Sequence, residues 1–151
     1  MTASDIKNIY NEARLLLRVP HPNIIRVRDV FKAKGDIGTT FEFIKGGKQG
    51  NNLKEIFEKG GPMNEAQCLN YFTQIVLAFK EVHDMPAFHK NVAPDHILAY
   101  VNPANEDEVV LKLTGFSKLR SMNHECSVDS VSAIASSFFP PDIMSGGDYD
   151  R

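Results

Sequence analysis

The sequence has no tryptophan and only two cysteines, Cys68 and Cys126, among its 151 residues. The two stand in unrelated contexts, so neither a disulfide framework nor a cysteine-rich metal site is in prospect, and both read as reduced thiols of an intracellular protein. No apolar run approaches the roughly 20 residues that cross a bilayer, and the N-terminus lacks the apolar stretch of a secretory signal. Thr2 stands where myristoylation needs glycine. No charge of one sign dominates: the net charge is −2, so there is no basic field for nucleic acid or anionic lipid. The expectation is a cytoplasmic protein with no membrane and no nucleic-acid partner. What is present, 42% hydrophobic and 24% charged residues, is enough for one domain with a real core.

Ser4 and Asp5 can cap and charge a helix whose apolar positions Ile6, Ile9, Tyr10, Leu16 and Leu17 recur at helical spacing, and Pro20 and Pro22 end it. Strands are expected over Ile24 to Phe31 and Ile37 to Ile44, joined by the turn Lys34-Gly35-Asp36. Gly46 to Asn52 reads as a loop and Leu53 to Lys59 as a short helix ended by Gly60, Gly61 and Pro62. Asn64 with Gln67 three residues on forms a capping box, and Leu69, Phe72, Ile75, Val76, Phe79 and Val82 then line one face of a long helix to about His83. Strands over Ile97 to Val101 and Val109 to Leu113 flank an acidic loop, Asn102 to Glu108. Ser121 to Ser137 is serine-rich without periodicity and reads as a long mobile loop.

Four islands, in order, resemble a protein kinase. Ile9-Tyr10-Asn11-Glu12, through His21-Pro22-Asn23-Ile24-Ile25 to Asp29-Val30-Phe31, is similar to the family's αC helix and the strand after it. Phe41-Glu42-Phe43-Ile44-Lys45-Gly46-Gly47 resembles the hinge between lobes. His89-Lys90-Asn91-Val92-Ala93-Pro94-Asp95-His96-Ile97-Leu98 resembles the catalytic loop. Leu111-Lys112-Leu113-Thr114-Gly115-Phe116-Ser117 resembles the opening of the activation segment, and Pro140-Pro141-Asp142 stands where that segment closes. The wording is most like the calcium-dependent and calmodulin-kinase group. The resemblance implies an α+β, partial kinase-like fold: αC helix, the family's β4–β5 hairpin, hinge, αD–αE helices, and catalytic-loop and activation-segment strands. It is expected as one partial domain, with residues 1–44 an N-lobe remnant and 45–151 a partial C-lobe.

The same resemblance places Asn91 at the proton-accepting position, Ala93 where most serine/threonine kinases have lysine, and His96 and Gly115 at the two metal-holding positions. An amide is no carboxylate base, imidazole prefers softer metals than magnesium, and glycine has no side chain to hold one. No G-x-G-x-x-G occurs, and Glu12 is expected without its partner lysine because the phosphate-covering loop and that lysine would precede it. The implication drawn is a catalytically inactive, non-enzymatic kinase-like domain, a pseudokinase acting by protein binding or regulation. The alternatives are an active serine/threonine kinase of the calcium-dependent group and a metal-independent ATP-binding module.

No cofactor is expected beyond weak ATP without magnesium, held at the hinge backbone of Glu42 and Ile44, with Phe41 as a bulky gatekeeper and Leu98 under the adenine. Leu16, Val27, His89 and Phe116 match the family's stacked apolar spine. A protein partner is implied, another kinase among the candidates, and unpaired strand edges and the long helix's apolar face favour a homodimer. The plainer readings are kept elsewhere. His89 is a packed structural histidine. His96 with His124, Glu125 and Cys126 has no zinc spacing, and the acidic loop lacks an EF-hand pattern. Ser121, Ser127, Ser130 and Ser132 are ordinary loop serines before they are phosphorylation sites answering to Lys90.

Overall fold

Two antiparallel hairpins and one long helix organise the computed structural model, which describes residues 10, 13–33, 36–44, 52–85, 87–102, 104–116, 119–121, 138 and 141–145. The chain is helical at residues 13–15 and tightens into a 3-10 turn at Leu16–Arg18, whose Leu16 is buried. The first hairpin pairs β1 (Val27–Ala33) with β2 (Asp36–Phe41), Val30 opposite Thr39. Val27 and Val30 are both buried although strict alternation would put residues three apart on opposite faces. A register shift between Val27 and Asp29 supplies the extra residue that turns both inward.

Helix α1 (Leu53–Gly60) starts on Asn52, whose side chain accepts from the Glu55 N–H at 2.9 Å, and stops at Gly61, where φ is +71°. Helix α2 (Glu65–His83) opens on the expected capping box: Asn64 Oδ1 accepts from Gln67 N at 2.9 Å and Gln67 Oε1 from Asn64 N at 3.2 Å. The second hairpin pairs β4 (Ile97–Asn102) with β5 (Asn105–Leu113), after the two-residue strand β3 (Ala87–Phe88), which pairs with β6 (Arg120–Ser121). A four-residue helix, α3 (Pro141–Met144), lies at the position expected to close the activation segment.

One cluster of buried side chains joins these pieces, including Leu16, Val27 and Val30 with Ala78, Val82, Leu111 and Leu113. Polar groups then fix β5 along its second edge. The backbones of Asn23 and Ile25 bond Leu113 on both sides, Leu113 N–H to the Asn23 carbonyl at 2.8 Å and Ile25 N–H to the Leu113 carbonyl at 2.9 Å. One turn of strand further back the role passes to a side chain. Gln74 of α2 accepts from Leu111 N–H at 2.8 Å and donates to the Val109 carbonyl at 2.9 Å. Asn23 Nδ2 completes the brace, donating to Gln74 Oε1 at 2.8 Å and to the Leu111 carbonyl at 2.9 Å.

Several expectations are corrected. The paired part of the first hairpin is shorter at its open end, because residues 24–26 turn to β5 and residues 42–44 leave as the hinge, and longer at its turn, where Ala33 pairs with Asp36. Asn105 to Glu108 belong to β5 rather than to an acidic loop: Asn102 accepts from Ala104 N–H at 3.0 Å, which turns the chain tightly enough for Asn102 to pair with Asn105. Ser121 is a strand residue paired with Ala87, not loop. On α2 the apolar residues divide: Ala78 and Val82 are buried and Ile75 and Phe79 partly so, whereas Leu69 and Phe72 are 66% and 65% exposed. Residues 34, 35 and 45–51 lie outside the described residues, as do 122–137, where most of the serine-rich stretch falls.

Replacing Gln74 with alanine strips partners from a strand N–H, a strand carbonyl and the Asn23 amide at once. The expected cost is about 3 kcal/mol, read as a melting temperature lower by about 6–12 °C.

Candidate functional site

The site is built where the turn after β3 meets the end of β5. Asn91 is buried, and its side-chain Nδ2 donates to the Gly115 carbonyl at 3.2 Å while lying 3.5 Å from His96 Nε2. His96 sits at the end of a 3-10 turn, Pro94–His96, and its Nδ1 meets the Asn91 carbonyl at 2.8 Å. A carbonyl only accepts, so Nδ1 carries the proton and Nε2 faces the Asn91 amide as an acceptor. The His96 carbonyl accepts twice from Thr114, from its N–H at 2.8 Å and its hydroxyl at 2.9 Å. The two chain segments are thus stitched on both sides of His96, and Gly115 follows directly with φ +81°.

His89 lies beneath this layer, 5% exposed, its ring 4.5 Å from that of Phe116 centroid to centroid. Its Nδ1 accepts from Asn91 N–H at 3.2 Å, so Nε2 is the protonated nitrogen and donates to the Thr114 carbonyl at 2.9 Å. Burial holds the ring's pKa down at about 4 against an ordinary 6.5; the Thr114 carbonyl opposes that shift, and His96 nearby adds a little to it. The expectation of a packed histidine is met, and Leu16, Val27 and Phe116 are buried as well. Lys90 is buried with φ +59°, so it does not stand out as a surface charge awaiting a phosphate.

Glu42 defines the hinge end. Its backbone N–H donates to the Arg26 carbonyl at 2.8 Å, and its Oε1 accepts from Arg26 N–H at 2.9 Å and from Lys112 Nζ at 2.8 Å. Lys112 alternates with the core residues Leu111 and Leu113, so it points to the opposite face of β5, where its side chain is only 9% exposed. Burial pushes the Glu42 carboxyl's pKa up, but the Lys112 and Arg26 hydrogen bonds and the charges of Lys112 and Arg28 outweigh it and hold the pKa below its ordinary value.

The structure brings Asn91, His96 and Gly115 together, with Ala93 buried beside them and its carbonyl accepting from His96 N–H at 2.9 Å. It does not make Phe41 a plug: the ring is 47% exposed, because β2 ends there and turns its last residue outward. Ile44 and Leu98 are half-buried. Glu12, His124, Glu125, Cys126, Ser127, Ser130 and Ser132 lie outside the described residues. Sequence reading missed Thr114, Lys112, Asn23 and Gln74 as site-shaping groups. Lys112 carried no signal of that role: alternation turns a lysine between two core leucines to the opposite face, which is commonly solvated in an antiparallel hairpin.

The protein kinase domain family matches residues 1–151 of this chain. The chain is 26% identical over 144 residues to serine/threonine-protein kinase ATG1c of Arabidopsis thaliana, covering 95% of this chain and 19% of that protein. It is 28% identical over 145 residues to calcium/calmodulin-dependent protein kinase type IV of Homo sapiens, covering 96% of this chain and 29% of that protein. The crystal structure of the Rad53 kinase domain and SCD2 shares the fold, with TM-score 0.59 and 24% identity over 77% of this chain and 40% of that one. The chain spans less than half the length of these relatives. They correct the expectation of a non-enzyme: the relatives bear the names of serine/threonine-protein kinases, and the family is one of enzymes. The error came from judging enzyme class by four positions alone. Among the described residues no helix is long and apolar enough to cross a membrane.

Two predictions follow from the geometry. A neutral His89 in the fold means the unfolded chain binds the extra proton between its ordinary pKa of 6.5 and the folded value of about 4. Stability is therefore full above about pH 6.5 and is lost as pH falls toward 4, by up to about 3 kcal/mol. Denaturant midpoints measured across that window show the slope, and His89→Gln flattens it. Separately, Lys112→Met leaves the half-buried Glu42 carboxylate with one N–H in place of its charged partner. Urea unfolding is expected to show a loss of about 2 kcal/mol, partly recovered by adding Glu42→Gln.

Proposed function

This chain belongs to the protein kinase domain family, and from that premise we propose that it is a stretch of a serine/threonine kinase-family protein, most like the calcium/calmodulin-dependent group, that works chiefly by binding and regulation and transfers phosphate slowly. The carrying observation is Asn91. Its amide stands where the family places a carboxylate, and it is committed as a donor to the Gly115 carbonyl at 3.2 Å. Such a group positions a hydroxyl but takes no proton, and a positioned base is worth about 10²–10⁴ in rate.

Binding is supported by what the chain keeps. The stacked residues Leu16, Val27, His89 and Phe116 are all buried, so the framework that presents a hinge and an activation segment is intact. Leu53, Phe57, Met63, Leu69, Tyr71 and Phe72 line an apolar groove between α1 and α2, a surface suited to a protein partner. ATP, on this reading, is held weakly and from the hinge side at Glu42 and Ile44.

Radiolabelled phosphate transfer by the full-length protein tests the proposal, set beside a variant carrying Asn91→Asp, His96→Asn and Gly115→Asp together. The triple change is expected to raise transfer by at least about 10²-fold, and Asn91→Asp alone by much less, because catalytic groups act as a unit. Wild-type transfer as fast as the triple variant's sinks the reading.

A further inference from the structure

The kinase family implies a divalent cation between the residues at positions 96 and 115, and the geometry of this chain does not fit one. Gly115 offers no ligand atom in a side chain. A Cβ built there meets His96 Cγ at 2.7 Å, His96 Cβ at 2.9 Å and His96 Cδ2 at 3.1 Å. Two of these are the root of the ring rather than a flexible tip, and contacts under 3.0 Å do not persist in folded proteins.

His96 has little room to retreat. Its carbonyl takes two hydrogen bonds from Thr114, at 2.8 and 2.9 Å, its N–H donates to Ala93 at 2.9 Å, and its Nδ1 is held by the Asn91 carbonyl at 2.8 Å. The one nitrogen left with a lone pair, Nε2, faces the Asn91 amide. From this geometry we infer that the imidazole of His96 is a built-in plug: it fills the volume a side chain at 115 requires, so positions 96 and 115 are sterically coupled and the site does not hold the family's magnesium. The family's own metal position is occupied by protein. This inference deepens the proposed function, but it stands on packing and is tested without measuring phosphate transfer.

The experiment is a set of melting temperatures on the full-length protein: wild type, Gly115→Ala, His96→Ala, the two together, and His96→Asn/Gly115→Asp. Gly115→Ala is expected to lower the melting temperature by about 4 °C or more, and adding His96→Ala to recover the part of that loss that the ring atoms Cγ and Cδ2 impose, Cβ at 2.9 Å remaining. The left-handed φ at 115 is the same in both backgrounds, so the recovery isolates the contact between the two side chains. Gly115→Ala that fails to fold while the pair folds supports the plug; failure of both, or losses that simply add, overturns it. In the second arm, magnesium chloride is titrated with ATP present. Wild type is expected to show no magnesium-dependent shift and His96→Asn/Gly115→Asp a saturable rise. A magnesium-dependent rise in the wild type, or none in the double variant, overturns the inference.

Discussion

Strand β5 is hydrogen-bonded on both edges, and the meeting of Gly115 with Asn91 and His96 depends on that fact. One edge pairs with β4 through Ile97 and Leu113 at one end and Val101 and Val109 toward the other. The second edge is closed partly by the backbone at Asn23 and Ile25 and partly by the Gln74 side chain, which bonds Leu111 as a neighbouring strand would. Without Gln74 the long helix would touch β5 only through apolar contacts, which resist sliding poorly. With it, the helix, the strand and the turn after Pro22 share one register. That register sets how far Thr114 and Gly115 reach past the sheet, and so where they meet His96.

The two faces of β5 then have separate tasks. Leu111 and Leu113 enter the core, while Lys112 reaches the hinge residue Glu42 on the other side. A charge pair this sheltered costs desolvation that its own attraction only roughly offsets. Its contribution is better described as directional: Glu42 also bonds Arg26 through both side chain and backbone, so the hinge is fixed to the hairpin and to the activation-segment strand together.

Much of this was legible in the residues, and the pattern of success is physical. Helix α2 and its capping box were readable because both signals are local, set within three or four residues of one another. The order of Asn91, His96 and Gly115 was readable because the catalytic loop and the strand before Gly115 keep their sequence spacing. The Gln74 brace was not, since its partners lie 51 and 37 residues away and nothing in a helical repeat distinguishes a glutamine that faces a strand from one that faces water. The extent of β5 was misjudged because acidic residues read as loop, whereas a tight turn pairs Asn102 with Asn105 and residues 106–108 continue the strand as a bulge without partners in β4. Enzyme class was misjudged for a different reason: substituted positions speak to chemistry at a site, and family membership is a property of the whole chain.

The replaced positions also depend on one another through hydrogen-bond polarity, not only through volume. Asn91 Nδ2 donates to the Gly115 carbonyl and lies toward His96 Nε2, two groups that can only accept in this arrangement. A carboxylate at 91 would set an acceptor against both, at separations where a lost hydrogen bond becomes a repulsion. The amide is therefore the group that the plugged geometry requires, and His89 below it must stay neutral to accept from the Asn91 N–H at its Nδ1. No single step back toward a carboxylate site is favourable: aspartate at 91 conflicts with the Gly115 carbonyl, and a side chain at 115 conflicts with His96. A network closed in this way couples positions 91, 96 and 115, so the effects of single substitutions among them are expected not to add.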